Sequence, residues 1–153
     1  MADEVERKFR VDEVPRSLGD GTRLRQAYLA VDGDVEVRVR DQGGDHVLGV
    51  KGGRGLQRTE VEVAIGPSEF EELWALAADR RIAKTRHRID LDDYVAEVDV
   101  YTGPLDGLVM VEVEFPSRRE AEAFVPPPWF GEDVTDDPRW SNAALATSGP
   151  PSP

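Results

Sequence analysis

Residues 34–41 read Asp34-Val35-Glu36-Val37-Arg38-Val39-Arg40-Asp41. Successive side chains of an extended chain point to opposite faces. Val35, Val37 and Val39 therefore share one face, and Glu36, Arg38 and Arg40 the other. The run predicts a strand that is apolar on one side and charged in both signs on the other. Gly43-Gly44-Asp45 follows it, and Gly52-Gly53-Arg54-Gly55 comes after the next apolar run. Both are turn signals, so 34–65 is expected as an antiparallel meander.

The alternation recurs in both directions from this stretch. Strands are predicted at 3–11, 22–31, 34–41, 46–51, 57–65, 82–90, 93–101 and 108–115. In 3–11, Glu4, Glu6 and Lys8 oppose Val5, Arg7 and Phe9, and in 57–65 Glu60 and Glu62 oppose Val61, Val63 and Ile65. Glu112 and Glu114 oppose Val111, Val113 and Phe115; Glu97 and Asp99 oppose Ala96, Val98 and Val100; and 82–90 presents Lys84, Arg86 and Arg88. Helices are expected at 67–81, with Ser68 and Glu71 as a capping box and Phe70, Leu73, Trp74 and Ala77 on one face. Two more are expected at 117–124, opened by Ser117, and around 137–146.

Eight strands in so small a domain suggest a closed antiparallel barrel, which leaves no exposed edge. A charged strand face can simply be solvated, and ion pairs across it would then stabilise little. The helices, however, need apolar faces to cover. If the apolar face of the barrel is outward, the charged face lines the lumen. Such a lumen is costly if dry, so it is expected to be a wet channel for a charged ligand. Carboxylates suggest hard cations, and interleaved arginine and lysine suggest a polyanion. The expected class is α+β, mainly β: an eight-stranded antiparallel closed tunnel barrel with a charged lumen and flanking helices. It spans residues 1–146, with 147–153 as a disordered tail.

Composition narrows the function. A net charge of −12 over 153 residues speaks against general nucleic-acid binding, which needs a basic surface. The lack of cysteine excludes disulfides, thiolate nucleophiles and cysteine–zinc sites. There is no apolar run long enough for a membrane span and no visible leader, so a cytoplasmic protein is the default. His46 and His87 lie too far apart in sequence to suggest a metal site and are expected at the surface. The glycines at 52–55 lack the Gly-Lys-Ser/Thr of a phosphate loop.

Glu4-x-Glu6-x-Lys8 resembles the ExExK signature of the CYTH superfamily, the triphosphate tunnel metalloenzymes. The likeness continues in order through Arg25-Gln26-x-Tyr28, Arg38-Val39-Arg40, Val50-Lys51-Gly52, Arg58-x-Glu60-x-Glu62, Lys84-Thr85-Arg86, Glu97-Val98-Asp99 and Glu112-Val113-Glu114. Pro127-Pro128-Trp129-Phe130-Gly131 resembles the closing segment of short bacterial members, although Arg139-Trp140-Ser141-Asn142 stands where Arg-Tyr-Tyr-Asn is usual. The resemblance covers about residues 3–145 and implies a metal-dependent hydrolase of triphosphate compounds, foremost an inorganic tripolyphosphatase in which water attacks the terminal phosphorus. It implies Mg2+ or Mn2+ at Glu4, Glu6 and Glu114, with Glu112 alongside and Asp99 completing the metal or water-positioning set. It implies phosphate contacts from Lys8, Arg38, Arg40, Lys51 and Arg86, extended by Arg25 and Arg58, and Lys84 as activator of the water. A class IV-type adenylyl cyclase or a nucleoside or thiamine triphosphatase shares that scaffold, and a non-catalytic polyphosphate- or nucleotide-binding module is the alternative of another class. A homodimer is a possible assembly.

Overall fold

The computed structural model describes residues 2–14 and 18–152. Its strands are Ala2–Arg10 (β1), Thr22–Asp32 (β2), Val35–Gln42 (β3), Asp45–Gly52 (β4), Gln57–Ala64 (β5), Arg81–Asp90 (β6), Val95–Thr102 (β7) and Val109–Glu114 (β8). They close into an antiparallel barrel in the order β1-β5-β4-β3-β2-β6-β7-β8. The eight-stranded expectation holds, with ends differing by at most two residues.

Register turns the alternation of single strands into two continuous walls. Glu6 stands opposite Glu114 and Lys8 opposite Glu112; Arg38 pairs with Gly49, Lys51 with Glu60, and Arg86 with Asp99. Residues paired across neighbouring strands share a face, so the charged positions form one surface, and it lies inside. The apolar positions form the outer wall and are covered by helices. Pro67–Leu76 (α1) lays Phe70 against Ala27 and Val39, with Leu48, Ile65 and Trp74 around it. Arg118–Ala123 (α2) lies over Val5, Phe9, Val98, Val111 and Phe115.

The helix ends differ from the sequence reading in two ways. The α1 cap is Gly66 rather than Ser68: the Glu69 carboxylate accepts from the Gly66 amide at 2.7 Å, while Pro67 fills the first helical position, where no amide is needed. The helix stops at Leu76. Ser117 caps α2 as expected, accepting from the Glu120 amide.

The covering of the outer wall is incomplete. Val35, Val50, Val61 and Val63, on adjoining strands, remain 43–52% exposed. His46 is not a surface residue: its ring lies 5.1 Å from Phe70 and its Nε2 is 3.5 Å from Asp41.

The C-terminal segment completes the barrel instead of trailing from it. β5 begins at Gln57, opposite Val5, so the rest of β1 has no β5 partner on that side. Residues 131–135 fill the gap: the Arg10 amide donates to Glu132 O, Gly131 to Arg10 O and Val134 to Lys8 O, at 2.7–2.9 Å. A Cβ on Gly131 would meet Arg10 O at 2.6 Å, so only glycine allows this approach. Beyond it a 3-10 turn, Pro138–Trp140, leads into Asn142–Ser148 (α3). Val134, Trp140 and Leu145 pack with Ile82, Tyr101, Leu105 and Met110 into an apolar plug. The third helix is therefore displaced from the expected 137–146, and the expected tail at 147 starts too early. Thr147 and Ser148 are helical, with Thr147 Oγ1 bonded to Ala143 O, and Gly149 at φ 72° ends the helix. Pro153 lies outside the described residues. Among the described residues no helix is long and apolar enough to cross a membrane.

Arg7 ties these layers together. Its guanidinium donates to Ala121 O and Phe124 O at the end of α2 and to Asp133 in the closing segment, and lies 5.0 Å from the Phe9 ring centre. Arg7→Met should lower unfolding free energy by roughly 2 kcal/mol in urea titrations, the usual scale for charged hydrogen bonds. Burial pushes the Asp133 carboxyl up, but the Thr135 hydroxyl and amide and the Arg7 guanidinium outweigh it and hold the group below its usual value. With a depressed folded value, its contribution is present above the ordinary carboxylate range and is lost as pH falls through the folded value. Asp133→Asn should therefore flatten the loss of stability below about pH 4.

Candidate active site

The barrel encloses a cavity of about 900 Å3. Every strand contributes through the same parity rule. Glu4, Glu6 and Lys8 come from β1, Glu36, Arg38 and Arg40 from β3, Lys51 from β4, and Arg58, Glu60 and Glu62 from β5. Lys84 and Arg86 come from β6, Glu97 from β7, and Glu112 and Glu114 from β8. Thr135 to Asp137 and the α3 residues Ala144, Thr147 and Ser148 add a further stretch of wall. The sequence contains three lysines and sixteen arginines; all three lysines, Lys8, Lys51 and Lys84, face this cavity.

Both signs of charge line the bore. β1 and β8 are neighbours and, in the strand order, stand opposite β3 and β2. Carboxylates on β1 and β8 therefore face Arg38 and Arg40 across the lumen. Each basic residue also has a local acid. Glu60 holds Arg38 at 2.6 Å and Glu62 holds Arg40 at 3.1 Å, the anchoring role the alternation suggests for both glutamates. Lys51 lies 2.7 Å from Glu4 and 3.6 Å from Glu6, Lys8 is 3.7 Å from Glu112, and Arg58 is 3.5 Å from Glu36.

This pairing leaves imbalances on both walls. Burial, then the Glu112 carboxylate, push the Glu6 carboxyl up to about 8 despite Lys51. Burial and the Glu4 and Glu97 carboxylates also raise Glu114. Glu4 goes the other way, its burial outweighed by the Lys51 ammonium. Glu4 Oε1 is nonetheless buried without a well-aligned hydrogen bond, the ammonium being close but off-axis. On the basic side, burial and the Arg38 guanidinium lower Arg40 even though Glu62 opposes them. Crowded carboxylates call for a cation and crowded guanidiniums for an anion.

Among the described residues no three Asp, Glu or His side chains converge into a ready metal cage. A hard cation such as Mg2+ does not need one, since it is commonly held by one or two carboxylates with water and substrate phosphate oxygens completing its shell. The donor set of Glu4, Glu6 and Glu114, with a buried oxygen that lacks a well-aligned hydrogen bond and a carboxyl raised by burial and its acidic neighbours, fits that kind of ion.

Two expected site residues lie elsewhere. Arg25 is outside the tunnel: Gln26 and Tyr28 turn inward on β2, so Arg25 turns outward. There it bonds Asp41 and Glu71 and covers Phe70 and Trp74 at 4.9 and 5.2 Å. It is a clamp on α1, not a phosphate ligand. Asp99 faces inward but is completely buried, and both of its oxygens are engaged. Lys84 Nζ lies 2.8 Å away, and Arg86 donates twice, at 2.8 and 2.9 Å. It is the counter-ion of Lys84 and Arg86 and has no oxygen to offer a cation. Lys84 itself is 1% exposed along its side chain. Burial lowers its ammonium to about 8, with Asp99 opposing and Arg86 reinforcing the shift.

Parts of the wall were only faintly legible in the sequence, where Gln26 and Tyr28 stand out solely within the Arg25-Gln26-x-Tyr28 likeness. Gln26 and Tyr28 form a neutral stretch in which the Gln26 amide donates to the Tyr28 hydroxyl at 2.5 Å. Parity alone places Gln26 inside, but a neutral residue in a charged lumen carries no chemical signal. The α3 wall of Ala144, Thr147 and Ser148 had no sequence signal, because no alternation marks the C-terminal segment.

No family model matches the chain. It is 46% identical over 149 residues to an inorganic triphosphatase of Nitrosomonas europaea, covering 96% of this chain and 99% of that protein. An inorganic triphosphatase of Acetivibrio thermocellus is 36% identical over 148 residues, covering 95% and 94%. A crystal structure of an inorganic triphosphatase superposes with a TM-score of 0.73 at 43% identity, covering 99% of both chains. A Hippeastrum protein described as revealing a dominant triphosphatase activity shares the fold alone, at TM-score 0.52 and 15% identity over 78% of this chain and 83% of that one. With such identity along nearly its whole length and a fold that superposes over it, the chain belongs to the inorganic triphosphatases of the CYTH, or triphosphate tunnel, fold.

Proposed function

We propose that the tunnel binds linear inorganic triphosphate with Mg2+ or Mn2+ and hydrolyses its terminal phosphoanhydride by direct attack of water. The observation that supports this reading best is a bore lined with both signs of charge, in which burial and neighbouring carboxylates raise Glu6 and Glu114 while burial and neighbouring guanidiniums lower Arg40. A linear polyanion with a divalent cation relieves both. Arg38, Arg40 and Arg86 would grip phosphate oxygens with their planar forks, and Lys8 and Lys51 would act as point charges beside them. Arg58, which also bonds Gly53 O, would extend the grip towards the mouth. Glu4, Glu6 and Glu114, with Glu112 alongside, would hold the cation, whose chemistry is to neutralise and polarise the phosphoryl group.

Phosphoryl transfer is mainly positioning and electrostatic stabilisation, and the remaining step falls to one residue. A water oxygen bonds to the terminal phosphorus, the bridging P–O bond breaks, and pyrophosphate leaves with the electron pair. Lys84 Nζ, as the neutral amine that its lowered value makes accessible, would orient that water and take its proton to become the ammonium. Among the described residues the tunnel wall carries only Tyr28 and Trp140 as aromatics, both almost fully buried, which leaves little for a nucleobase to stack on. The lack of cysteine suits a cytoplasmic setting.

Phosphate release from tripolyphosphate should exceed that from ATP and thiamine triphosphate with either cation, and chelation should abolish it. Faster conversion of ATP to cyclic AMP would make the protein a cyclase, and tight binding without product would make it a binding module. Glu4→Ala/Glu6→Ala should cut kcat/KM on the order of a hundredfold or more while thermal unfolding remains cooperative. Lys84→Met should lower kcat by about a hundredfold; an unchanged kcat with a raised KM would reduce Lys84 to a phosphate contact.

A further inference from the structure

Tyr101 is buried completely, yet the mechanism above gives it no role. It sits on β7 two residues after Asp99 and shares its inward face. Two of its contacts point in different directions. The face of its ring lies 5.5 Å from Lys84 Nζ, within cation–π range. Its hydroxyl donates to Asn142 Oδ1 at 2.5 Å. Asn142 is the first residue of α3, the helix that walls the tunnel through Ala144, Thr147 and Ser148. Tyr101 thus touches both the buried lysine and the segment that closes the bore beside it.

Neither contact is needed for packing alone. The plug is already apolar, through Ile82, Met110, Trp140 and Leu145, and a phenylalanine would fill the same volume. A buried hydroxyl, by contrast, must find a partner, and here the partner lies on α3. Ser141 caps α3 independently by accepting from the Ala144 amide, so the helix does not depend on Tyr101 to form, only to be docked. Asp99 fixes one side of the Lys84 ammonium, and the ring supplies a second, uncharged support that does not compete for its proton.

We propose that Tyr101 is a positioning residue that makes closure of the tunnel wall and placement of Lys84 a single event. Its hydroxyl docks α3 across the bore, and its ring face carries the ammonium. The inference rests on the triphosphatase reading for its kinetic arm only.

The two contacts separate by substitution. Tyr101→Phe removes the hydroxyl and keeps the ring, so KM for tripolyphosphate should rise about fivefold and kcat should change much less. Asn142→Ala should reproduce it, and the double variant should be no worse than either single one, because both break the same bond. Tyr101→Leu also removes the ring, so kcat should drop at least about fivefold below the Tyr101→Phe value. Hydrogen exchange provides a readout that needs no turnover: amides of 142–148 should exchange about fivefold faster in Tyr101→Phe and Asn142→Ala than in the parent protein. Effects of Tyr101→Phe and Asn142→Ala that multiply, or unchanged exchange in 142–148, would overturn the latch. Equal kcat in Tyr101→Phe and Tyr101→Leu would overturn the ring's part. A parent protein inert towards tripolyphosphate with every cation would sink the triphosphatase reading and leave the latch to be decided by exchange.

Discussion

A closed barrel whose apolar face points outward has to neutralise a charged interior, and most of this structure follows from that requirement. Charges removed from water are costly unless paired and hydrogen-bonded. The lumen meets the cost locally, with Glu60 on Arg38, Glu62 on Arg40, and Asp99 shared by Lys84 and Arg86. It stops short of full neutralisation at Glu6 and Glu114, and again around Arg40. Those remainders are where the site acts. A lumen balanced throughout would be stable and inert, while a less paired one would not fold around such a density of charge.

The outer wall answers the same constraint from the other side. Its valines and aromatics need cover, and helices supply it in two places. Arginine completes the cover by lying flat on rings, Arg7 over Phe9, Arg25 over Phe70 and Arg81 over Trp74. These guanidiniums keep their charge at the solvent edge while their planar faces shield apolar carbon. The arginines of the bore do different work with the same group, binding carboxylates and leaving donors for a ligand.

Alternation made the barrel legible, because a period of two is the signal that survives in a single sequence. It placed Glu4, Glu6, Arg38, Arg40, Glu112 and Glu114 inside without reference to any relative. It also held the correction for Arg25, whose parity differs from that of Gln26 and Tyr28. Following motif order over parity produced that error. Asp99 could not be resolved in this way: parity puts it inside, but whether its oxygens are free depends on Lys84 and Arg86 reaching it from the neighbouring strand. The closing segment was legible only as a likeness to short bacterial members, for another reason. It pairs with β1 over a few residues, without alternation and after three prolines, and its plug residues are too widely spaced to mark a face. The Gly66 cap was masked by Ser68, a better capping residue by type, because Pro67 fixed where the helix begins.

The division of basic residues has a chemical corollary. Every side-chain amine in the sequence lies in the bore, and the remaining fixed cations are guanidiniums. Acylation, carbamylation and Schiff-base formation act on amines and scarcely on guanidiniums. On side chains, such chemistry is confined to the active cavity and leaves the arginine-clad exterior untouched. Covalent labelling of this protein therefore reads the state of its interior, and reagents that would decorate the outside of most proteins become reporters of whether the tunnel is filled.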